Sequence, residues 1–319
     1  MKKYYSLFCG ALMACLVLAG CGQASDSESN DKQKSEQAEA EFPVTITDAV
    51  DKEVVIEEDP QKIVSLMPSN TEVAFALGVG DEVVGVSESD DYPEETKDIE
   101  KVVGMELNVE KILSLDPDLV LAHESVADTW ADGLQQMSDA GIDVLVVNDA
   151  TDFNGVYNSI EMIGKAVGEN KKAEEIVQDM KDDIASIKEK AASISEKDKK
   201  DVYVEVSPEP SIFTTGKDTF MQEMIDTINA TNVIKEAGWV QVDQEAVIEA
   251  DPDVVITTYG GYSPDPVGQV TKRDGWDQVT AVKDKQIVEV DEDLVSRSGP
   301  RLAQGVEEFA KAVYPDVFK

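Results

Sequence analysis

A repeated stretch decides the fold: Glu110-Lys-Ile-Leu-Ser-Leu-Asp-Pro-Asp-Leu-Val-Leu121 matches Glu245-Ala-Val-Ile-Glu-Ala-Asp-Pro-Asp-Val-Val-Ile256 position by position. Each copy predicts a helix, an Asp-Pro-Asp stop and a buried strand, because a residue before proline avoids helical geometry and the proline fixes a bend. One Asp-Pro-Asp would mean little. Two copies in matching contexts, 135 positions apart, predict two lobes of related build.

Short apolar runs surround both copies of the repeat. They cover 62–66, 83–86, 119–122 and 144–147, and then 202–206, 254–257 and 287–290. Asp, Gly, Pro or Asn bounds each run and segments of helical length separate them, as is typical of parallel sheets covered on both faces. Val44-Thr-Ile46 and Val54-Val-Ile56 predict an opening hairpin. The predicted fold class is α/β, with two lobes built on mainly parallel sheets.

One long amphipathic helix is predicted between the lobes, over 169–195. Its apolar residues recur in steps of three and four, which places them on one helix face; they are Ala173, Ile176, Val177, Met180, Ile184, Ile187 and Ala191. We therefore expect an N-terminal lobe over 42–168 and a C-terminal lobe over 196–319, whose last helix packs back toward the connecting helix.

The N-terminus has the pattern of an exported lipoprotein. Lys2 and Lys3 precede the apolar run Leu7–Leu18, which is too short to span a bilayer well. Leu18-Ala-Gly-Cys21 resembles the bacterial lipobox, so 1–20 is predicted to be a signal peptide and Cys21 to be acylated. The polar stretch 21–41 is predicted to be a disordered tether to the outer face of the cell membrane. The alternative is an ordinary secretory signal that contains a cysteine.

Composition excludes several functions. The formal net charge is −38, and removal of Lys2 and Lys3 makes it more negative, which opposes binding to nucleic acids or anionic lipids. With Cys9 and Cys15 in the signal and Cys21 acylated, the mature chain has no disulfide, thiol nucleophile or thiolate metal site. A histidine-rich metal site is impossible with one histidine, His123, and neither a Gly-x-Ser-x-Gly elbow nor a phosphate-binding glycine loop is present.

Several motifs together resemble one family. They are the stretch from Pro60 to Gly78 that contains Ser69-Asn-Thr-Glu72, the segment from Val84 to Pro93, both Asp-Pro-Asp repeats, and Ser296-Arg-Ser-Gly-Pro-Arg-Leu302. From about Phe42 to the C-terminus, the chain resembles substrate-binding lipoproteins of ABC importers for ferric siderophores, haem and cobalamin. The resemblance implies two α/β lobes joined by one rigid helix, with the ligand in the cleft between them.

The resemblance also implies a binding protein, not an enzyme, with no cofactor and no metal site of its own. Its partners would be a membrane permease with its ATPase subunit, a metal chelate, and the membrane through the lipid. Members dock through one acidic residue on each lobe. Matching motif positions point to Glu72 and Asp226, with Glu223 as a rival, and an acidic residue near a helix start is stabilised locally.

Ligands of open α/β sheets bind beyond the carboxyl ends of the strands. This rule selects the cleft residues Ser69, Asn70, Tyr92, His123, Glu124, Asn148, Trp239, Tyr259, Tyr262 and Arg297. An aromatic ring can cover a flat corrin or porphyrin face. For Arg297 there are two alternatives: its guanidinium binds ligand carboxylates or amides, or it forms a structural salt bridge. For His123 the alternatives are coordination of the chelated metal and a hydrogen bond in the cleft.

The acidic run Ser87-Glu-Ser-Asp-Asp91 favours a neutral or cationic chelate over a tri-anionic one. We expect a corrinoid, with a ferric siderophore second and haem third. An extracellular α/β hydrolase and a surface protein or sensor that does not transport are the alternatives of other classes. A monomer suits one ligand per docking event, and lipid tethering is expected where no outer membrane retains the receptor, as in Gram-positive cells.

Overall fold

The computed structural model describes residues 42–319, which belong to one compact unit. The predicted signal peptide, Cys21 and the tether lie outside these residues. The chain opens with the predicted hairpin, formed by strands β1 (Val44–Thr47) and β2 (Glu53–Ile56), which pair antiparallel. Among the described residues, no helix has the length and apolar character needed to cross a membrane.

The first lobe is a five-stranded sheet, parallel throughout, in the order β5-β4-β3-β6-β7. Its strands are β3 (Ile63–Ser65), β4 (Val83–Ser87), β5 (Glu100–Val103), β6 (Leu119–His123) and β7 (Asp143–Val147). Its helices are α1 (Pro68–Leu77), α2 (Val109–Leu115), α3 (Glu124–Ala127), α4 (Ala131–Asp139) and α5 (Phe153–Ala166). All residues of β3 and β6 are buried, which explains their continuous apolar runs.

The second lobe has six strands, in the order β11-β9-β8-β12-β13 with β10 beside β8. They are β8 (Asp201–Ser207), β9 (Phe213–Thr215), β10 (Thr231–Asn232), β11 (Trp239–Gln241), β12 (Val254–Thr257) and β13 (Ile287–Glu289). Only the pairs that include β9 are antiparallel. The helices are α7 (Phe220–Thr227), α8 (Gln244–Ala250), α9 (Pro266–Thr271), α10 (Thr280–Lys283), α11 (Glu292–Ser296) and α12 (Leu302–Val313).

The two copies of the repeat fold alike. Helices α2 and α8 both end at an aspartate in the left-handed region, Asp116 at φ 53° and Asp251 at φ 44°. The second aspartate of each copy accepts a backbone N–H at the start of the neighbouring strand: Asp118 from Lys62 at 2.9 Å, and Asp253 from Asp201 at 3.0 Å. The Asp-Pro-Asp motif therefore aligns β6 with β3 and β12 with β8.

The predicted connecting helix is α6 (Asn170–Ala191), between the two sheets in the chain. Of its apolar stripe, Ile176 alone is only partly buried. The stripe packs against α5 and α12, and one apolar core joins α6 to Ile63 of the first sheet and Val202 of the second. Because both lobes share this core along α6, relative motion is restricted on that side of the molecule.

Candidate functional site

A cavity of about 280 Å³ lies between the lobes, at the loops that follow the strands. Its lining from the first lobe is Met67, Pro68, Ser69, His123, Ser125, Asp149, Ala150 and Thr151, and from the second lobe Asp218, Thr219, Phe220, Trp239, Ser296, Arg297 and Ser298. Helix α3 begins directly after β6, and helix α1 begins shortly after β3, so parallel strand order brings their first residues together. We refer to this cavity as the cleft.

Four of the predicted cleft residues line the cavity: Ser69, His123, Trp239 and Arg297. Trp239 is 48% exposed, and its ring meets Phe220 edge to face at 6.2 Å between centroids. The indole therefore offers an apolar surface at the cleft that the protein itself does not cover.

Other predicted residues hold the loops of the first lobe instead. The Asn70 side chain is buried and donates to the Ala122 carbonyl at 2.9 Å. Asn148 donates to the Gly155 carbonyl at 3.1 Å, and Glu124 accepts the Asp149 N–H at 2.8 Å. These side chains shape the cleft without lining it.

Tyr259 and Tyr262 also lie outside the cavity lining. Tyr259 is fully buried and donates to Glu205 at 2.6 Å, while Tyr262, 60% exposed, donates to the Val206 carbonyl at 3.1 Å. The Glu205 carboxylate also accepts hydrogen bonds from both terminal nitrogens of Arg273, at 2.5 and 2.6 Å. The expectation that Tyr259 covers a ligand is therefore corrected: its hydroxyl completes a buried ion pair.

Asp149, Asp218 and Phe220 are among the lining residues that sequence reasoning did not single out. Asp149 lies next to the predicted cleft residue Asn148, in the loop after β7. Asp218 and Phe220 stand before and at the start of α7, after the short antiparallel strand β9. β9 has three residues, one phenylalanine and two threonines, so no continuous apolar run marks this loop in the sequence.

His123 ends β6, and its ring is fixed by the next turn. Its Nδ1 accepts the Ser125 N–H at 3.3 Å and lies 2.8 Å from Ser125 Oγ. Burial lowers the pKa of His123, against the attraction of Asp149 and Glu124 for its charged form. Because Nδ1 accepts a backbone N–H, the proton of the neutral ring lies on Nε2. His123 is therefore a hydrogen-bond donor.

Arg297 is surrounded by carboxylates. Its terminal nitrogens lie 2.9 Å from Glu72, 2.8 Å from Asp91 and 2.8 Å from Asp293. The nearby Arg301 binds both oxygens of Glu72 and lies 3.8 Å from the centroid of the Tyr92 ring. Of the two roles weighed for Arg297, the structure shows the structural salt bridge, and Tyr92 serves the same network.

This network changes the docking assignment. The Glu72 side chain is 2% exposed and lies in the second turn of α1, so it presents no charge to a partner. Glu223 accepts the Phe153 N–H at 2.7 Å across the lobes. Asp226 is exposed, but it lies at the last turn of α7 and not near a helix start. The assignment of Glu72 is therefore corrected. Glu72 and Asp226 both lie beyond the first turn of their helices, so stabilisation near a helix start does not support either of them as a docking residue.

Within residues 42–319, no group of three or more His, Cys, Asp or Glu side chains is arranged to hold a metal ion.

Comparisons with known proteins agree with this architecture. Residues 63–294 match the family model described as periplasmic binding protein. An uncharacterized ABC transporter substrate-binding lipoprotein, YvrC of Bacillus subtilis, is 53% identical over 100% of both chains. A vitamin B12-binding protein of Pectobacterium carotovorum is 30% identical over 76% of this chain and 84% of its own length.

A solved structure shows the same fold. It is a possible iron-binding (periplasmic solute-binding) protein from Staphylococcus epidermidis, 36% identical, with a TM-score of 0.71 over 81% of this chain and 100% of its own. Family membership confirms the prediction of a binding protein and not an enzyme, and nothing in these matches supports a hydrolase. The chain belongs to the periplasmic binding protein family, with two α/β lobes joined by a single long helix.

Proposed function

We propose that this chain is the substrate-binding component of an ABC importer and that its cleft takes a neutral or cationic metal chelate, with a corrinoid as the first candidate. The observation that carries the proposal is the chemistry of the cleft, where an exposed indole stands near unpaired carboxylates and a neutralised arginine. The name of the B. subtilis relative supports the transport role, and the name of the P. carotovorum relative supports the corrinoid.

The charge of the cleft favours ligands without negative charge. Arg297 is the one arginine or lysine among the described lining residues, and three carboxylates already surround it. Asp149 and Asp218 are exposed at the cleft, one on each lobe. An anionic ligand would meet these charges without a free cation, and like charges brought together oppose binding.

The polar and apolar surfaces of the cleft suit a ring with amide substituents. Trp239 can cover a flat apolar face. His123 donates from Nε2, which matches an amide carbonyl better than a metal centre, because coordination needs a lone pair on that nitrogen. A corrinoid combines a flat macrocycle with peripheral amides.

A ferric siderophore without negative charge is the second candidate, and the description of the S. epidermidis structure as possibly iron-binding favours it. Haem, with two carboxylates, fits this cleft less well.

A fluorescence titration separates these ligands, since Trp239 lines the cleft, whereas Trp130 packs against the core of the first lobe and Trp276 is buried, and neither lines the cleft. The probes are cyanocobalamin, cobinamide, haem, a ferric hydroxamate without negative charge and a ferric tris-catecholate. We expect a corrinoid to bind most tightly and Trp239→Phe to remove most of the signal. The proposal is contradicted if the catecholate binds most tightly, or if none of the five probes binds.

For docking on the permease we propose Glu110 and Glu245, which occupy the same position in the two copies of the repeat. Both are exposed in the first turn of their helices, α2 and α8. Each helix leads back into a parallel strand, so it begins at the edge of the sheet where the cleft lies. The two lobes thus present equivalent carboxylates at the cleft edge, which can fix the orientation of docking.

Charge reversal tests this assignment. Glu110→Lys with Glu245→Lys should abolish uptake by cells and leave ligand affinity unchanged. The matched control is Glu174→Lys with Glu189→Lys, the same change in net charge on the exposed face of α6. Normal uptake by the first double variant, or equal loss in the control, contradicts the docking site.

We also propose that lipid on Cys21 holds the protein at the outer face of the membrane, which raises its concentration near the permease. The lipoprotein name of the B. subtilis relative supports this role. Cys21→Ser should move the protein from the detergent phase to the aqueous phase in a phase-partition assay. Retention in the detergent phase contradicts the anchor.

A further inference from the structure

The Glu72 carboxylate joins the two lobes. It belongs to α1 of the first lobe and is almost completely buried, yet both of its partners come from the C-terminal segment after α11. Arg301 donates from Nε at 2.8 Å and from Nη2 at 2.6 Å, and Arg297 donates from Nη1 at 2.9 Å. Charge-assisted bonds of this geometry are about twice as strong as neutral ones.

The same arginines reach further into the first lobe. Arg297 Nη2 contacts Asp91 and the Ser89 carbonyl, at 2.8 and 3.3 Å, in the loop after β4. The Arg301 guanidinium covers Tyr92 of that loop. Two elements of the first lobe are thus bound to one short segment of the second.

A second polar contact crosses between the lobes elsewhere on the rim of the cleft. Glu223 of α7 accepts the Phe153 N–H, the first residue of α5, at 2.7 Å. Ala150 and Thr151 precede α5, Thr219 is the N-cap of α7 and Phe220 is the first residue of α7. All four line the cavity. The cleft therefore lies between two inter-lobe contacts, of which only the one at Glu72 is an ion pair.

We propose that Glu72 is a positioning residue: by holding Arg297 and Arg301, it clamps the two lobes together and sets the width of the cleft. We call Glu72, Arg297 and Arg301 the clamp. The cavity of about 280 Å³ is at or below the lower limit of roughly 300–1,000 Å³ for pockets that enclose drug-sized ligands, and a corrinoid is larger than these. Such a chelate can be enclosed only if the lobes separate against the clamp.

The clamp then regulates capture through the population of the wider form. If only a fraction of the molecules has a wide cleft, the apparent affinity is the intrinsic affinity multiplied by that fraction. Weakening the clamp raises the fraction and therefore the apparent affinity. This consequence for binding depends on the proposed function, whereas the control of cleft width does not.

Spin labels can measure the width directly, because the sequence has no cysteine after Cys21. In the chain from residue 22 onward, which keeps the whole compact unit, Met105→Cys and Lys217→Cys place one label on each lobe at exposed sites. Double electron–electron resonance then gives the distance distribution. We expect Glu72→Gln, which removes the charge but little volume, to lengthen and broaden it.

Glu205→Gln is the matched control, because Glu205 is also buried and bound by an arginine, but within one lobe. It should destabilise the fold and leave the distances unchanged. Should Glu72→Gln fail to fold, Asp91→Asn weakens the same network at its exposed end and should lengthen the distances less. Unchanged distances in the folded clamp variants, or an equal change with Glu205→Gln, overturn the proposal.

Ligand binding provides the second measurement. Stopped-flow fluorescence should show that Glu72→Gln associates with cyanocobalamin several-fold faster than the unaltered chain. Slower or equal association together with longer distances overturns the regulation of capture. Absence of binding by every variant instead contradicts the proposed ligand, while the distances still test the clamp.

Discussion

Glu72 and Arg301, 229 positions apart in the chain, share two hydrogen bonds of 2.8 and 2.6 Å between the lobes. Removing one member leaves the other as a charge that is mostly shielded from water, so Glu72→Ala should cost about 3–5 kcal/mol of unfolding free energy. Urea unfolding measures the loss. The double variant with Arg301→Ala should lose less than the sum of the single variants, and simple additivity would contradict the coupling.

The pair of Glu205 and Arg273 should respond differently to single and double replacement. Both side chains are at most 2% exposed. Arg273→Leu alone leaves the buried Glu205 carboxylate without its arginine and should cost about 3–5 kcal/mol. Glu205→Met with Arg273→Leu should recover part of that stability, because apolar side chains can replace a buried ion pair, although the Tyr259 hydroxyl loses its acceptor. Chemical unfolding of the three proteins checks this, and a double variant as weak as the single one contradicts it.

Asp293 makes stability depend on pH. Burial raises its pKa from 3.8 to about 6, Arg297 acts against this rise, and Asp91 adds to it. Because the folded-state pKa is the higher one, this carboxyl stabilises the fold most below pH 4, and the contribution is lost as pH rises through about 6. The stability of Asp293→Asn relative to the unaltered chain should therefore increase as pH rises from about 4.5 to about 7.5. Thermal unfolding at both values tests the sign.

The two left-handed aspartates of the repeat should differ when replaced by glycine. Asp116 is exposed and pairs only with Lys62, so Asp116→Gly should be neutral or stabilising, since glycine adopts positive φ without strain. Asp251 accepts the N–H and hydroxyl of Thr280, at 2.7 and 3.0 Å, and Asp251→Gly should cost about 1 kcal/mol. Equal effects in urea unfolding would contradict this reasoning.

His123 should act on the ligand through its Nε2 proton. His123→Gln keeps a donor and should retain most of the affinity, whereas His123→Ala should lose about 1 kcal/mol of binding free energy. The visible spectrum of bound cobalamin should be the same in all three proteins. A spectral change on substitution would show coordination of the metal instead.

Much of the fold could be predicted because its signals are local. The apolar runs that became β6 and β12, the Asp-Pro-Asp stops and the stripe of α6 each depend on residues close in the chain. Parallel strand order also predicted which loops meet, and Ser69 and His123 line the cleft accordingly. Trp239 lines it too, although it begins β11, which pairs antiparallel with β9. Asp218 was missed because a short antiparallel strand precedes its loop.

The sequence by itself determined two lobes, their sheets and the long helix between them, since periodicity and proline geometry act over a few residues. Only the tertiary structure decided that Glu72 is buried and not exposed, and that Arg297 is neutralised before any ligand arrives. The two residues are 225 positions apart. No local pattern records a contact over that separation, because it exists only where the second lobe folds back against the first.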